Sequence, residues 1–255
     1  MERWRLLEVE TPNRADLNLA IEEAIFLEKI GEKGPPTVRF WRSKNAVIIG
    51  YSQSAKAEVN IRTCTDKGVQ IVRRFTGGGA VYHDMGNLNY SIAIEADHPL
   101  LRGLDITESY KLFCSAITEG LRDFGITLVF NPPSDLLVRG KKVSGNAQSR
   151  RKGTIFHHGT LLVNADLDLL TEVLNLLEKA TSISNVASKK RSVTNLADET
   201  GCCVDMELVK EALQRGFERV FSVSLENCTL TLGERMTAQR LCAEKYSRKE
   251  WNFLR

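Results

Sequence analysis

The six cysteines of this 255-residue chain include no CxxC pair, which argues against a zinc site and against a thioredoxin-like motif. No apolar run approaches the roughly 18 residues that a membrane-spanning helix needs. The N-terminus, MERWRLLEVETPNRADL, combines arginines with several acids and lacks the apolar stretch of a signal peptide. We therefore expect a cytoplasmic protein, without a membrane partner, whose thiols are reduced and mostly buried.

The usual nucleotide-binding patterns are missing too. The chain has neither a GxxxxGK[ST] phosphate loop nor a GxGxxG motif at the start of a helix. A net charge of +3 does not indicate nucleic acid. The basic runs at residues 150–152 and 189–191 lack the interleaved aromatic residues that stack on bases. Because such runs usually lie on solvated faces, we expect no nucleic acid partner.

Composition and periodicity favour a packed α+β domain. Apolar residues make up 42% of the chain and charged residues 26%, as in ordinary soluble domains. The helical spacing of apolar residues predicts helices at 16–30, 55–67, 107–124, 166–178, 205–221 and 234–246. Extended patterns predict strands at TVRFW, NAVIIGY, QIVRRF, AVYHD, LNYSIAI, ITLVF, DLLVRGKKVSG and TIFHHGTLLVN. This mixed order predicts a mixed, largely antiparallel sheet or sheets flanked by helices.

The stretch RRFTGGGAVYHDMGNLNYS, residues 73–91, holds three consecutive glycines between two predicted strands. Glycines permit positive backbone dihedrals and leave amide groups free to bind an anion or a narrow ligand. A tight hairpin without a ligand explains them equally well. Strand alternation sends Arg73 and Arg74 to opposite faces, so only one can point toward a ligand beside the loop. His83 and Asp84 form either an oriented acid–base pair or a turn-former beside a satisfied polar residue.

A second cluster lies in GKKVSGNAQ and HHGTLL. Lys141 and Lys142 occupy consecutive strand positions, so one of them faces the sheet interior or a pocket unless both reach water. The small residues that follow leave room for a negatively charged intermediate. His157 and His158 are adjacent, a spacing that disfavours chelation of one metal by both. We therefore predict no protein ligand set for a metal.

Three motifs in this order resemble the lipoate-protein ligase family: RRFTGGGAVYHDMGNLNYS, then GKKVSGNAQ, then HHGTLLVNADL. Similarity extends to LNLAIEEAIF, VRFWRSKNAVIIGYSQ and RSVTNL, and so covers nearly the whole chain. The resemblance implies the fold that biotin-protein ligases share with lipoyl and octanoyl transferases. It also implies a two-step reaction. Lipoate and ATP give lipoyl-AMP and pyrophosphate, and a lysine of a lipoyl domain then attacks the acyl adenylate.

The resemblance assigns site residues as well. Lys142 matches the motif lysine that contacts the acyl carbonyl and phosphate oxygens, and it is the candidate catalytic residue. Trp41 matches an aromatic residue of the acyl tunnel. Asp135 fits an adenine or ribose contact, while Ser134 departs from the family's asparagine. The loop at 181–195 matches the adenylate-binding loop. The other substrate- or adenylate-binding candidates are Arg74, Gly77, Gly78, Gly79, His83, Asp84, Asn87, Ser144, Gly145, Ala147, His158 and Gly159.

The resemblance also implies ligands and partners. The glycine turn would lie against the acyl chain and the adenylate, where a β-carbon would collide. ATP, with Mg²⁺ carried on its phosphates, and lipoate are the implied cofactor and substrate. The implied acceptors are lipoyl domains of 2-oxoacid dehydrogenase acyltransferases and the glycine cleavage H protein. Residues 1–248 match the catalytic domain, and 249–255 form a tail where single-chain ligases continue into an accessory domain. We therefore expect a separate accessory subunit for adenylation.

The presence or absence of a cysteine that can carry the acyl group distinguishes a transferase of this fold from a ligase. Transferases of this fold carry the acyl group on a cysteine. In one class it lies near the position of Val129, and in another shortly after the HHG motif, and this chain has no cysteine at either place. We therefore expect an ATP-dependent lipoate-protein ligase. The alternatives are a cysteine-dependent octanoyl or lipoyl transferase that needs no ATP, a biotin-protein ligase and a non-catalytic binding module.

Overall fold

The structure is a computed structural model that describes residues 1–31, 34–175 and 192–255. Its strands are β1 (Glu2–Leu7), β2 (Thr37–Trp41), β3 (Asn45–Ile49), β4 (Gln70–Arg73), β5 (Val81–Asp84), β6 (Asn87–Glu95), β7 (Val129–Asn131), β8 (Asp135–Val138), β9 (Lys141–Arg151), β10 (Thr154–Leu162) and β11 (Val223–Asn227). Its α-helices are α1 (Ala15–Gly31), α2 (Ala55–Glu58), α3 (Ile61–Asp66), α4 (Ile106–Leu121), α5 (Leu167–Val173), α6 (Leu196–Thr200), α7 (Met206–Phe221), α8 (Leu232–Leu241) and α9 (Lys249–Asn252).

The strands form two sheets. The larger sheet has the order β11-β1-β2-β6-β10-β9-β8-β7, in which β1 is parallel to both its neighbours and the other pairs are antiparallel. The smaller sheet has the order β4-β3-β5, with β3 parallel to β4 and antiparallel to β5. This architecture confirms the predicted α+β class with mixed, largely antiparallel sheets.

Strand alternation lets the larger sheet bury both faces. Along β6, the side chains of Leu88, Tyr90, Ile92 and Ile94 enter a core shared with α4 and α7, as their period of two predicts. Ala93 belongs to a second core that includes residues of α1 and α8. A third core packs the smaller sheet against α2, α3 and α5. The strands β2, β6, β9 and β10 are thereby fixed from both sides.

Several boundaries differ from the sequence predictions. Strands β1 and β11 and helices α6 and α9 were not predicted. β11, α6 and α9 have five residues or fewer, whereas β1 has a strand-like alternation of Trp4 and Leu6 with Arg3 and Arg5 that was missed. The predicted helix at 55–67 is two short helices, and the one at 234–246 ends in a π-helical turn at Cys242–Tyr246. The prediction for 166–178 holds as far as Val173, and residues 176–178 lie outside the described ranges, as does most of the 181–195 loop.

Two global expectations can also be compared with the fold. All six cysteines are free, and Cys64, Cys114 and Cys242 are buried. Cys202 and Cys203 are exposed, so the expectation of mostly buried thiols was only half right. In the described part of the chain, no helix has both the length and the apolar character needed to cross a bilayer.

Candidate active site

The segment that links β4 to β5 is not a hairpin. β3 lies between these strands in the smaller sheet, so residues 74–80 pass across the end of β3. The crossing is close, because a β-carbon on Gly50 would lie 2.1 Å from the carbonyl oxygen of Gly78. The hairpin alternative was therefore wrong. Sequence reasoning also missed Gly50, which must be glycine for the loop to pass.

Arg74 holds this loop from the inside. Its guanidinium donates to the carbonyl oxygens of Gly77 at 2.6 Å and Gly79 at 2.9 Å. Gly78 has a φ of +93°, and a β-carbon there would lie 2.8 Å from the Arg74 Nη2 atom. A β-carbon on Gly77 would meet nothing within 4 Å. The glycine at position 78 is thus explained by its positive φ and by the protein's own arginine, without a ligand.

Arg73 points to the other face, as strand alternation predicted. Its side chain donates to the carbonyl oxygens of Trp251 and Asn252 in α9 and of Gly50. It therefore ties the C-terminal tail to β4, and only Arg74 lines the cavity. Burial lowers the pKa of Arg74 to about 10, so the side chain stays charged at neutral pH.

A cavity of about 130 Å³ lies beside this loop, between the two sheets and α1. Its wall carries apolar side chains from both sheets, from α1 and from the crossing loop: Leu19, Trp41, Ile48, Phe75, Val81 and Phe156. Its polar groups include Ser134, Lys142, Asn146 and His158. An apolar wall with a few convergent polar groups is suited to an apolar chain that ends in a reactive group.

Lys142 adds a second positive charge to the cavity wall, beside that of Arg74. Its Nζ atom lies 2.9 Å from Asp135 Oδ1, and its side chain is 27% exposed. Lys141 turns outward and pairs with Glu199. The prediction that one lysine of the pair faces a pocket is therefore confirmed. A β-carbon on Gly145 would lie 2.6 Å from Lys142 Nζ, so a glycine there makes room for the ammonium group.

Asp135 has a different place from the one expected. It is buried, holds the Lys142 ammonium and is absent from the cavity wall, whereas Ser134 is part of that wall. The role as an adenine or ribose contact stays a prediction without a contact in the structure.

His83 lies in the cavity wall with no hydrogen-bond partner for either ring nitrogen among the described residues. Its ring meets that of Trp41 edge-on at 5.7 Å. Burial, reinforced by the charge of Arg74, lowers the pKa of His83 to about 3. The imidazole is therefore neutral at physiological pH.

Asp84 is a turn-former, and it does not orient His83. Its two carboxylate oxygens accept from the backbone amides of Gly86 and Asp166. A β-carbon on Gly86 would lie 1.9 Å from the carbonyl oxygen of Asn164, so this turn packs directly on the chain beyond β10. The acid–base pair alternative was wrong, because adjacent strand residues face opposite ways.

His158 lies in the cavity wall and is tied to the crossing loop. Its Nε2 atom is 2.7 Å from the Thr76 hydroxyl, which itself accepts from Arg74 Nε at 3.1 Å. Burial and the charge of Arg74 lower the pKa of His158 well below its ordinary value. This histidine is therefore neutral at physiological pH.

His157 points away from the cavity into a buried polar network. Its Nε2 atom is 3.0 Å from Asn146 Oδ1, and its Nδ1 atom is 3.1 Å from Gln148 Nε2. An amide oxygen can only accept and an amide nitrogen can only donate, so His157 carries its proton on Nε2. The two histidines thus face opposite sides of β10. The described residues also contain no cluster of three potential metal ligands.

Asn146 is a cavity residue that sequence reasoning missed. Its Oδ1 accepts from the Tyr90 hydroxyl at 2.6 Å, and its Nδ2 donates to the Ser134 carbonyl at 2.9 Å. A β-carbon on Gly159 would lie within 2.6 Å of both Tyr90 and Asn146, so glycine is required there. Ser144 bonds to Tyr90 behind the cavity wall. Sequence reasoning could have found Asn146, because this residue lies within the GKKVSGNAQ motif.

Two further comparisons with the prediction concern β6 and α1. Asn87, a predicted binding residue, is buried but does not line the cavity. Asn89 of the same strand lines it. Glu22 falls within the helix predicted at 16–30, and it is buried beside the cavity, where it accepts from Arg39 at 2.8 Å and from Ser91 at 3.0 Å. Its partner Arg39 is distant in sequence, so helical periodicity could not reveal this buried ion pair.

No cysteine lines the cavity in the described part of the chain, and residues 176–191 contain none. Cys114 is buried in the core between α4 and the larger sheet. Burial raises the pKa of Cys64 to about 11 and raises that of Cys114 further. Both thiols are therefore protonated and poor nucleophiles at neutral pH.

Comparisons with known proteins agree on the family. The model of the lipoyl protein ligase A/B catalytic domain matches residues 14–218. Lipoate-protein ligase A subunit 1 of Thermoplasma acidophilum is 35% identical over 260 residues, which cover 98% of this chain and 96% of that protein. Octanoyltransferase LipM of Brevibacillus brevis is 33% identical over 279 residues and all of both chains. Other octanoyltransferases of this name match at 31% to 35%.

Solved structures show the same fold. The bi-partite lipoate protein ligase of Thermoplasma acidophilum, solved in a study with its E2 lipoyl domain, has a TM-score of 0.87 and 34% identity. That match covers 99% of this chain and 97% of the other. A lipoate-protein ligase A bound with ATP has a TM-score of 0.84 and 35% identity, with 99% of each chain covered.

These relatives correct one expectation from the sequence. The chain was expected to be an ATP-dependent lipoate-protein ligase. The full-length matches to octanoyltransferases, which move an existing acyl group without ATP, overturn that assignment. What the relatives have in common is an enzyme of lipoyl or octanoyl transfer, and this chain belongs to the family of lipoyl protein ligase A/B catalytic domains.

Proposed function

We propose that this enzyme transfers an acyl group of the octanoyl or lipoyl class from a thioester carrier to the side-chain amine of a lysine in a lipoyl domain, without ATP. The carbonyl carbon forms a bond to nitrogen and loses its bond to sulfur. The amine gives up a proton, and the carrier leaves as a thiol. The relatives named octanoyltransferase support this reaction, and the structure contributes a cavity suited to the acyl chain.

The observation that carries the proposal is the ammonium group of Lys142 in the wall of a cavity that also offers an apolar surface. Negative charge develops on the carbonyl oxygen as the amine attacks, and a preorganised cation nearby stabilises that charge. Asp135 fixes the ammonium at 2.9 Å and prevents it from rotating freely. Lys142 is the only lysine in the cavity wall among the described residues, so its loss would leave the oxyanion without this charge.

The acyl chain would lie along the apolar wall, with Trp41, Phe75 and Phe156 as its largest neighbours. Each buried methylene contributes about 0.8 kcal/mol to binding, so an eight-carbon chain gains several kcal/mol from this wall. His83 would meet the chain inside the cavity and remain neutral there. A charged group at the same position would oppose binding of an apolar chain.

The cavity indicates a direct transfer. Transferases that form an acyl-enzyme need a nucleophile within reach of the carbonyl carbon. The described cavity wall has no thiol, the group that carries the acyl chain in transferases that form an acyl-enzyme. The acceptor lysine would therefore attack the bound thioester itself, so no acyl group rests on this chain between the two substrates.

The test uses two donors in parallel. The purified chain is incubated with an apo lipoyl domain and either an octanoyl or lipoyl thioester of an acyl carrier protein, or the free acid with ATP and Mg²⁺. We expect acylation of the domain from the thioester in the absence of nucleotide. Product formed only from the free acid with ATP would contradict the proposal.

A second measurement checks the direct route. Intact-mass analysis of this chain during turnover should show no covalent acyl adduct, and alkylation of the exposed thiols Cys202 and Cys203 should leave the rate unchanged. An acylated cysteine that decays at the rate of product formation would disprove direct transfer while leaving the ATP-free reaction intact.

A further inference from the structure

The backbone of Lys142 is supported in an unusual way. β10 pairs with β9 only as far as Leu161 and Ser144, so it stops before Lys142 is reached. On that side the Lys142 amide donates to the Ser192 carbonyl at 2.8 Å, and its carbonyl accepts from the Thr194 amide at 3.0 Å. Residues 192–194 therefore continue the sheet where β10 ends, in a parallel bridge centred on Val193.

Lys142 depends on this support because it lies next to a sharp turn. Arg139 and Gly140 both have positive φ values, 47° and 79°, and β9 begins directly after them. The pairing between β8 and β9 is also irregular at Leu136 and Leu137. A strand end beside a turn and a bulge opens easily unless another segment covers it.

Glu199 in α6 fastens the covering segment. Its Oε1 atom accepts from the Thr194 hydroxyl at 2.9 Å and lies 3.5 Å from Lys141 Nζ. Its Oε2 atom lies 3.5 Å from Arg139 Nη1, and only 6% of its side chain is exposed. One carboxylate thus joins the turn before Lys142 to the segment that pairs with Lys142.

We propose that Glu199 is a positioning residue for acyl transfer: by holding Thr194 against the turn at Arg139, it fixes the backbone of Lys142 and keeps its ammonium in the cavity. Glu199 touches neither the cavity wall nor Lys142 itself, so its effect passes through the backbone. The inference rests on the proposed function for its catalytic part, because misplacing a catalytic group by about 1 Å can slow a reaction about 100-fold.

Hydrogen exchange tests the structural part without any assay of activity. In Glu199→Ala, we expect the amides of Lys142 and Thr194 to exchange about tenfold faster, while amides of β6 and β10 keep their protection. Glu199→Gln retains an oxygen that accepts from Thr194 and should give an intermediate increase. Unchanged exchange at Lys142 and Thr194 would overturn the proposal. Faster exchange across the whole sheet would also overturn it, since Glu199 would then serve general stability.

Kinetics test the catalytic part. Glu199→Ala and Thr194→Val should each lower kcat about tenfold with KM changed less than about twofold. The double variant should be no slower than Glu199→Ala, because both substitutions remove the hydrogen bond between Thr194 and Glu199. Glu119→Gln, a substitution at the surface between α4 and α7, is the matched control. Additive losses, or a change in KM alone, would refute a shared positioning role. If no acyl transfer occurs at all, the proposed function fails while hydrogen exchange still decides the role of Glu199.

Discussion

Acidification should destabilise this protein through its buried histidines. Burial lowers the pKa values of His83 and His157 to about 3 and that of His158 well below its ordinary value. The unfolded chain binds a proton on each histidine near pH 6.5, whereas the folded chain remains neutral. The free energy of unfolding therefore has its full value above pH 6.5 and decreases as the pH falls from 6.5 toward 3.

The size of this effect follows from the shifts. At pH 5, a histidine with an unfolded pKa near 6.5 and a folded pKa near 3 costs about 2 kcal/mol. His83 and His157 together cost about 4 kcal/mol between pH 7 and pH 5, and His158 acts in the same direction. Burial raises the pKa values of Glu22 and Asp84, and these carboxyls oppose part of the loss.

Urea unfolding at pH 7, 6 and 5 measures the loss directly. His157→Gln is the informative variant, because it removes one buried histidine that does not line the cavity. It should be less stable than the parent at pH 7 but lose about 2 kcal/mol less between pH 7 and pH 5. An unfolding free energy that does not change between these pH values, or an identical pH slope in the variant, would refute this reasoning.

Two pairs of substitutions and one single substitution test other parts of the structure. Gly78→Ala should lower the free energy of unfolding by about 1–3 kcal/mol, because of its positive φ and the Arg74 contact, while Gly77→Ala should change it by less than about 0.5 kcal/mol. Gly159→Ala should cost about 1–3 kcal/mol in urea unfolding, because its β-carbon meets Tyr90. In steady-state kinetics, Lys142→Met should reduce kcat about 100- to 1,000-fold. Lys141→Met should reduce it less than about threefold, since its ammonium faces outward. Equal effects within any pair would contradict the assigned environments.

Local patterns were enough to predict much of this fold. The alternation of apolar residues along β6 and their helical spacing in α4 and α7 are clear sequence signals, because each of these elements buries one continuous face. The same rule placed Arg73 and Arg74 on opposite faces and put one of Lys141 and Lys142 in a pocket. These predictions needed only the periodicity of the residues concerned.

Features that depend on distant partners could not be predicted. Gly50 is constrained by Gly78, and that contact follows from β3 lying between β4 and β5. Glu22 looks like an ordinary surface acid until β2 brings Arg39 to it. Asn146 and the pairing of residues 192–194 with Lys142 likewise require the arrangement of the whole sheet.

The central claim is that Lys142 promotes acyl transfer from a ready-made thioester. The most direct measurement is the intact mass of an apo lipoyl domain after incubation with this chain and an octanoyl-carrier thioester in nucleotide-free buffer. The account predicts that the domain gains one octanoyl group at a single lysine and that Lys142→Met slows the gain about 100- to 1,000-fold. A domain that stays unmodified until ATP and the free acid are supplied would contradict it.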